Sequence, residues 1–430
     1  MPFVRAPFGR RSLLWILGSS LLCILLAVVV TQAVVGEESK GGGDGTGSGS
    51  GGGKGSAGSA PTAAQPLEGK AGVSARRPLQ KEPGLYPRAI RLQHSGDANG
   101  RILTSNVTFR GKDGVGVIHE SSDNGKTFRE VGSVADPAGA GGKGLCCTTL
   151  YELPQQIGDM PAGTLLWADS PGQTEKPRKM SIRVFKSTDH GRSWSPLSIA
   201  ATAGNEGGLW EPEFSIDAQG NLVCHYSDET DPKHSQKLMA VRTSDGKNWK
   251  GRHATVESSQ EPDRPGMAVV RKVPDGTYVM VYEICTPGGK YACVVHTRTS
   301  KDGWEWGKPS DLGTRPETAD GHYFAHAPTL AWAPESGNPQ GKLLLIGQVM
   351  RDRYGKPSLG GERTLWTNSK GGEGAWQSKR APVAVNSGKE DSCANYSSAL
   401  LPTADGRNVL EIATDNVDGR CRPFYAQGPA

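Results

Sequence analysis

The 430-residue chain reads as an all-β protein, and three observations narrow that class to a six-bladed β-propeller. A strand, a turn carrying glycine and a second apolar strand recur six times from about Tyr86 onward. A Ser/Thr-rich turn with Asp and Gly, closed by an aromatic residue, follows the first four of those units. Convincing helical periodicity is nearly absent. Units of about 60 residues, six times over, describe one radial array of four-stranded sheets without a second domain.

Two segments of different character precede the repeats. MPFVRAPFGRRSLLWILGSSLLCILLAVVVTQAVVG places Arg5, Arg10 and Arg11 ahead of an apolar run from Leu13 to about Val35, with Glu37 and Glu38 beyond it. The run approaches the ~20 residues of a membrane span and exceeds the roughly 7–15 of an ordinary signal peptide. Residues 1–35 are therefore expected to form an N-terminal signal anchor or a long cleaved signal peptide. Either one exports the rest of the chain, and the first tethers it to a membrane with the body outside. In the next stretch, 15 of residues 41–59 are Gly or Ser. Residues 36–83 are expected to be a flexible linker with a reach of roughly 35–40 Å, and residues 84–430 the propeller.

The six turn glycines are Gly100, Gly163, Gly220, Gly276, Gly341 and Gly406, spaced 56–65 residues apart. The interposed motifs are SSDNGKTF (Ser121–Phe128), STDHGRSW (Ser187–Trp194), TSDGKNW (Thr243–Trp249) and SKDGWEW (Ser300–Trp306), with a worn copy at Thr367–Trp376. In such a turn Asp and Ser bond backbone amides, Gly takes the dihedral other residues avoid, and the aromatic plugs the turn onto the sheet. The motif is structural and carries no chemistry. Its recurrence resembles the Asp-box propellers of sialidases and their relatives.

Charge and cysteine use narrow the function. Residues 1–80 hold eight Lys/Arg and four Asp/Glu, which leaves 41 against 40 in the remainder. That neutral body excludes a nucleic-acid binder. Eight cysteines fit export to an oxidising compartment; Cys285 with Cys293 and Cys393 with Cys421 are plausible pairs, and Cys146, Cys147 and Cys224 stay unassigned. His322 and His326 stand four apart without a third ligand, so neither a metal nor another cofactor is expected. Of two sequons, at Asn106 and Asn395, the first is the better glycosylation candidate.

Two acids stand out. Glu211 heads the inner strand of the third unit in LWEPEF, and Glu283 closes the apolar face of VMVYE in the fourth. A buried carboxylate is costly without partners, and a pair of them is what hydrolysis of a glycosidic bond requires. Plain strand alternation places Glu213 on the same side as Glu211, as a rim acid. Trp210 offers a face for a sugar ring. Arg88, Arg264, Asp228 and Tyr396 sit near inner-strand ends and are further candidates for substrate binding, each with a structural role as the alternative.

LWEPEF…GNLVCHYSDE, SSQEPDRPGMAVVRKVPDGTYVMVYEIC and the opening YPRAIRL together resemble glycoside hydrolase family 93, the exo-acting α-L-arabinanases. The resemblance implies two catalytic glutamates, Glu211 and Glu283, and a retaining double displacement on linear α-1,5-L-arabinan of plant cell walls, releasing arabinobiose from the non-reducing end. Either glutamate could take either role; Glu211 is provisionally the acid/base and Glu283 the nucleophile. A monomer is expected. Two alternatives remain open: an exo-α-sialidase using Tyr396 with Glu283, and a catalytically silent propeller that binds glycans.

Overall fold

Six antiparallel sheets make up the body in the computed structural model, which describes residues 75–289, 292–386 and 391–430. Five sheets contain four strands and one contains five. The innermost strands are Leu85–Arg91, Leu145–Glu152, Leu209–Ile216, Arg264–Lys272, Thr329–Glu335 and Ala399–Pro402, here the inner strands of blades 1 to 6. Neighbouring blades pack on apolar sheet faces; the cluster around Trp167, Leu103, Leu150 and Phe185 joins blades 1 and 2. This is the six-bladed all-β propeller that the repeats predicted.

The Asp-box turns follow the third strand of blades 1 to 4. In the second of them the Asp189 carboxylate accepts from the amides of Arg192 and Ser193, while Ser187 Oγ accepts from the Gly191 amide. Asn368 takes the place of Ser in the worn fifth copy, accepting from the Lys370 and Gly372 amides.

Three features depart from a regular array. Blade 4 lacks a conventional fourth strand. The Gly- and Pro-rich stretch after Trp306 bridges its third strand at Thr297–Thr314, and short strands Tyr323–Ala325 and Val349–Arg351 extend the sheet instead. The first hairpin of blade 5 turns at Ser336–Gly337 rather than at Gly341. Gly341 lies within the second strand at φ 67°, where a Cβ would meet Ala333 O at 2.3 Å.

Blade 6 takes its outermost strand from the start of the body. Arg77–Pro78 pairs with Tyr425 and Phe424, and Arg76 forms a 2.5 Å ion pair with the buried Asp415. Residues 75–83, within the stretch assigned to the linker, thus belong to the folded body, where Arg77–Pro78 closes the ring. The expected anchor and the Gly/Ser-rich part of the linker lie outside the described residues. Among the described residues, no helix is long and apolar enough to cross a membrane.

Disulfides join Cys285 to Cys293 and Cys393 to Cys421, as expected. A third, unexpected, joins the adjacent Cys146 and Cys147, and Cys224 is free and buried. Both sequon asparagines are inaccessible: Asn106 is fully buried on the second strand of blade 1 and donates to Gln80, and Asn395 is 2% exposed. The expectation of a glycan at Asn106 is therefore corrected.

Candidate active site

One local feature of the inner strands aims the site. Near the start of each, a non-glycine residue adopts the left-handed region: Tyr86, Cys147, Glu211, Met267, Ala327 and Ser397, with φ between 43° and 59°, joined by His326 in blade 5 and Asn395 in blade 6. In blades 1 to 4 the strand register shifts there, as at a β-bulge. Such backbone is uncommon for residues with a Cβ and re-aims the side chain. Tyr86, Cys147, Met267 and Ala327 pack together in one apolar cluster. Glu211 is the one charged member of the six, set at the edge of an apolar floor.

Above that floor opens a cavity of about 450 Å³, lined by Tyr86, Trp210, Glu211, Glu229, Arg264 and Glu283 among others. Each acid accepts a bond from the left-handed residue of the following blade. Met267 N donates to Glu211 Oε2 at 3.3 Å, and Ala327 N donates to Glu283 Oε2 at 2.7 Å. Glu211 also accepts from Ser227 Oγ at 2.5 Å.

The two surroundings differ. Burial raises the Glu211 carboxyl above its ordinary value, opposed by the Ser227 and Met267 hydrogen bonds and the charge of Arg264. Glu283 is pushed up to about 8, first by burial and then by the negative charge of Glu211, against the Ala327 bond and Arg264. Only 8% of Glu283 is exposed, and its Oε1 lies 3.5 Å from the sulfur of the Cys285–Cys293 disulfide. Burial and the charge of Glu211 thus favour the protonated form of Glu283, while Ser227, Met267 and Arg264 favour the anion of Glu211.

Of the other expected residues, Trp210, Arg264 and Tyr396 line the same cavity. Trp210 packs on a glycine: a Cβ at Gly208 would meet its Nε1 at 2.0 Å. Arg264 donates to Glu229, to Gln236 Oε1 and to Ser235 O. The Tyr396 hydroxyl reaches Met267 Sδ at 3.5 Å, and its ring faces Tyr86.

Two expected binding residues do not line the cavity. Arg88 donates to Ser397 Oγ and O and lies over the Tyr86 ring, so it ties blade 1 to blade 6. Asp228 is buried against Arg252 and accepts from the Thr230 amide, a turn-holding role. Glu213 is no rim acid either. The bulge at Glu211–Pro212 breaks the alternation, and Glu213 is buried, accepting from Arg271 Nη1 at 2.6 Å and Thr149 Oγ1 at 3.2 Å across both neighbouring blades.

Sequence reasoning missed Tyr86, Gln236, Gln348 and the Cys146–Cys147 pair, all of which line the cavity beside Glu229 and His326. The adjacent cysteines were a visible signal; the others gave none. Glu283, Cys285, Cys293 and His326 bring donor atoms within 4.8 Å of one another, but the two sulfurs are bonded to each other. The imidazole of His326 is neutral at ordinary pH, burial lowering it to about 4.

No family model and no curated protein matches the chain. Among solved structures, the α-L-arabinanase of Penicillium chrysogenum, complexed with arabinobiose, is 27% identical; the alignment covers 81% of this chain and 93% of that one, with a TM-score of 0.68. The family 93 α-L-arabinofuranosidase of Fusarium graminearum, also solved with arabinobiose, is 25% identical over 81% and 93% of the two chains, with a TM-score of 0.65. A glutamate-to-alanine variant of the Fusarium enzyme with an iminosugar inhibitor matches equally well. The structural resemblance to family 93 enzymes therefore spans nearly the whole propeller.

Proposed function

We propose that this propeller is a retaining, exo-acting glycoside hydrolase that cleaves α-1,5-linked L-arabinofuranosyl chains and releases arabinobiose, with Glu211 as nucleophile and Glu283 as acid/base. One observation carries the reading: two buried carboxyl groups share a cavity in surroundings that divide them, Glu283 pushed up to about 8 beside a disulfide and Glu211 receiving a hydroxyl, an amide and the field of Arg264. Retaining hydrolysis requires that division. The arabinobiose-bound relatives at 25–27% identity support the substrate class.

The roles reverse those first taken from the sequence. Glu211 receives a hydroxyl and an amide and stands in the field of Arg264, all of which favour its anion. Glu283 sits against a disulfide with one amide donor, surroundings that favour the neutral acid. In the first step Glu211 attacks the anomeric carbon while the Glu283 proton passes to the leaving oxygen. A glycosyl ester forms on Glu211 as the glycosidic bond breaks. In the second step Glu283, now a carboxylate, takes a proton from water, which displaces Glu211. Trp210 supplies an apolar face for a sugar ring, and Arg264 a donor to its hydroxyls.

The sialidase alternative needs three arginines around a substrate carboxylate. Among the described residues lining the cavity, the arginine is Arg264 alone. The three disulfides suit an extracellular setting. Purified protein is incubated with debranched linear arabinan and, separately, with a fluorogenic sialoside. Arabinobiose as the main early product, absent with Glu211→Gln or Glu283→Gln, is the expected result. Sialoside cleavage alone overturns the reading, and binding of arabinan without turnover leaves a glycan-binding propeller.

A further inference from the structure

The cavity contains a third carboxylate that the two-acid mechanism does not use. Glu229 follows the second strand of blade 3, lines the cavity and is 13% exposed at its side chain. Its carboxylate accepts from three segments. Arg264 Nη2, at the start of the inner strand of blade 4, donates to Oε1. Arg178 Nη2, from the third-strand approach of blade 2, donates to Oε2 at 3.1 Å. The Gly208 amide donates to Oε2 at 2.9 Å, and the Glu229 amide returns a bond to Gly208 O at 2.9 Å.

These are the segments that carry the site. Gly208 is three residues before Glu211 and is the glycine on which Trp210 packs. Arg178 stands over the Trp210 ring at 5.7 Å and donates to Glu206 O. Arg264 is the cation whose field reaches both Glu211 and Glu283. We propose that Glu229 is a positioning residue that fixes the Arg264 guanidinium and the Trp210–Glu211 strand entry as one unit, and that its charge offsets that of the two arginines bonded to it, Arg264 in the cavity and Arg178 beside it. The proposal deepens the hydrolase reading and rests on it for its kinetic consequence.

The charged and titratable groups around this unit are Arg178, Arg264 and Glu206 at Glu229 itself, the Asp228–Arg252 pair behind it, and Glu211, Glu283, Tyr86, His326 and Asp391 elsewhere on the cavity lining. Glu229 is ionised: its carboxyl lies below its ordinary value, the charges and hydrogen bonds of Arg264 and Arg178 together outweighing burial. Its negative charge raises Glu211. Replacing it by an isosteric amide removes that charge and leaves more of the Arg264 field uncompensated. Both changes favour the anions of Glu211 and Glu283, so both carboxyls titrate at lower pH.

The test compares wild type, Glu229→Gln and Glu229→Asp. Glutamate carboxyl carbons are followed by ¹³C NMR from pH 3 to 10, with Glu211 and Glu283 assigned through their Gln variants, and kcat/KM on arabinan is measured over the same range. Glu229→Gln is expected to move both carboxyls, and both limbs of the rate profile, down by roughly half a unit or more. Glu229→Asp keeps the charge but shortens the reach. Its titrations are expected to stay in place while kcat falls about tenfold, from misplacement of the attacking carboxylate. Unmoved Glu211 and Glu283 titrations in a folded Glu229→Gln protein overturn the proposal. If that variant does not fold, a Glu229→Asp protein with wild-type kcat overturns it. Wild-type protein inactive on arabinan would count against the hydrolase reading, while the NMR titrations would still decide the role of Glu229.

Discussion

Removing the Glu283 carboxyl tests the division of labour between the two acids directly. With its carboxyl pushed up to about 8, Glu283 favours its protonated form at pH 7 and so holds the proton the leaving group needs. Glu283→Ala deletes that donor and the base of the second step. On arabinan, whose leaving alkoxide is a poor one, the loss is about 10²–10⁴ in kcat, or roughly 3–5 kcal/mol in barrier. On a nitrophenyl arabinofuranoside the leaving group needs no proton, so the first step survives and the glycosyl ester on Glu211 accumulates. Azide, which needs no base, then attacks that ester on the face opposite Glu211. The assay is turnover of the aryl glycoside with rising azide, followed by NMR of the product. The expected result is restored turnover and a glycosyl azide of retained configuration; Glu211→Ala with azide gives the inverted product. An inverted azide from Glu283→Ala would refute the assignment and restore Glu211 as the acid.

Three further outcomes are expected. The wild-type kcat/KM profile is a bell: activity is lost as pH rises through about 8, where Glu283 gives up its proton, and as pH falls toward the raised titration of Glu211; a basic limb below pH 6 would contradict both roles. Arg76→Ala strips its cation from Asp415, which is fully buried and keeps an amide bond from Asn386, and costs roughly 2–4 kcal/mol in urea unfolding; a loss under about 0.5 kcal/mol would remove the closing strand from any role in stability. Glu411, fully buried with an amide bond from Val383, is raised to about 8 from an ordinary 4.5. A carboxyl raised in the folded state contributes stability that is complete below its unfolded value and lost as pH climbs through the folded one. That loss amounts to about 3 kcal/mol by pH 7. Glu411→Gln, which cannot ionise, is expected to flatten the fall in melting temperature between pH 5 and 8.

The propeller was legible because its markers are local. Asp189 bonds amides three and four residues away, so the turn that it makes is written in eight consecutive letters. Closure was not legible, since Arg77 and Tyr425 meet only when the last sheet is complete. The same distinction separates the site residues read well from those read badly. Arg88 finds Ser397 across 309 positions, and Asp228 finds Arg252 through a sheet, so an arginine and an aspartate that looked available for sugar are engaged elsewhere. Glu211 and Glu213 looked alike because strand alternation was assumed to run unbroken. The backbone is instead left-handed at Glu211, and the two carboxylates part, one to the cavity and one to Arg271.

That bulge also explains why an acid can be tolerated at the third position. A reversed residue leaves its own amide outside the regular ladder, and in blades 4 and 5 that amide is spent on a carboxylate of the site: Met267 on Glu211, Ala327 on Glu283. The repeat therefore supplies a donor to each acid by the same backbone device. It does not supply the difference between them. The difference comes from what is not repeated: Ser227 and Arg264 beside Glu211, the Cys285–Cys293 disulfide beside Glu283. A symmetric scaffold with two equal carboxylates would hold one proton shared without preference. Here the unrepeated neighbours break that equality in favour of a protonated Glu283, and the proposed order of attack rests on it.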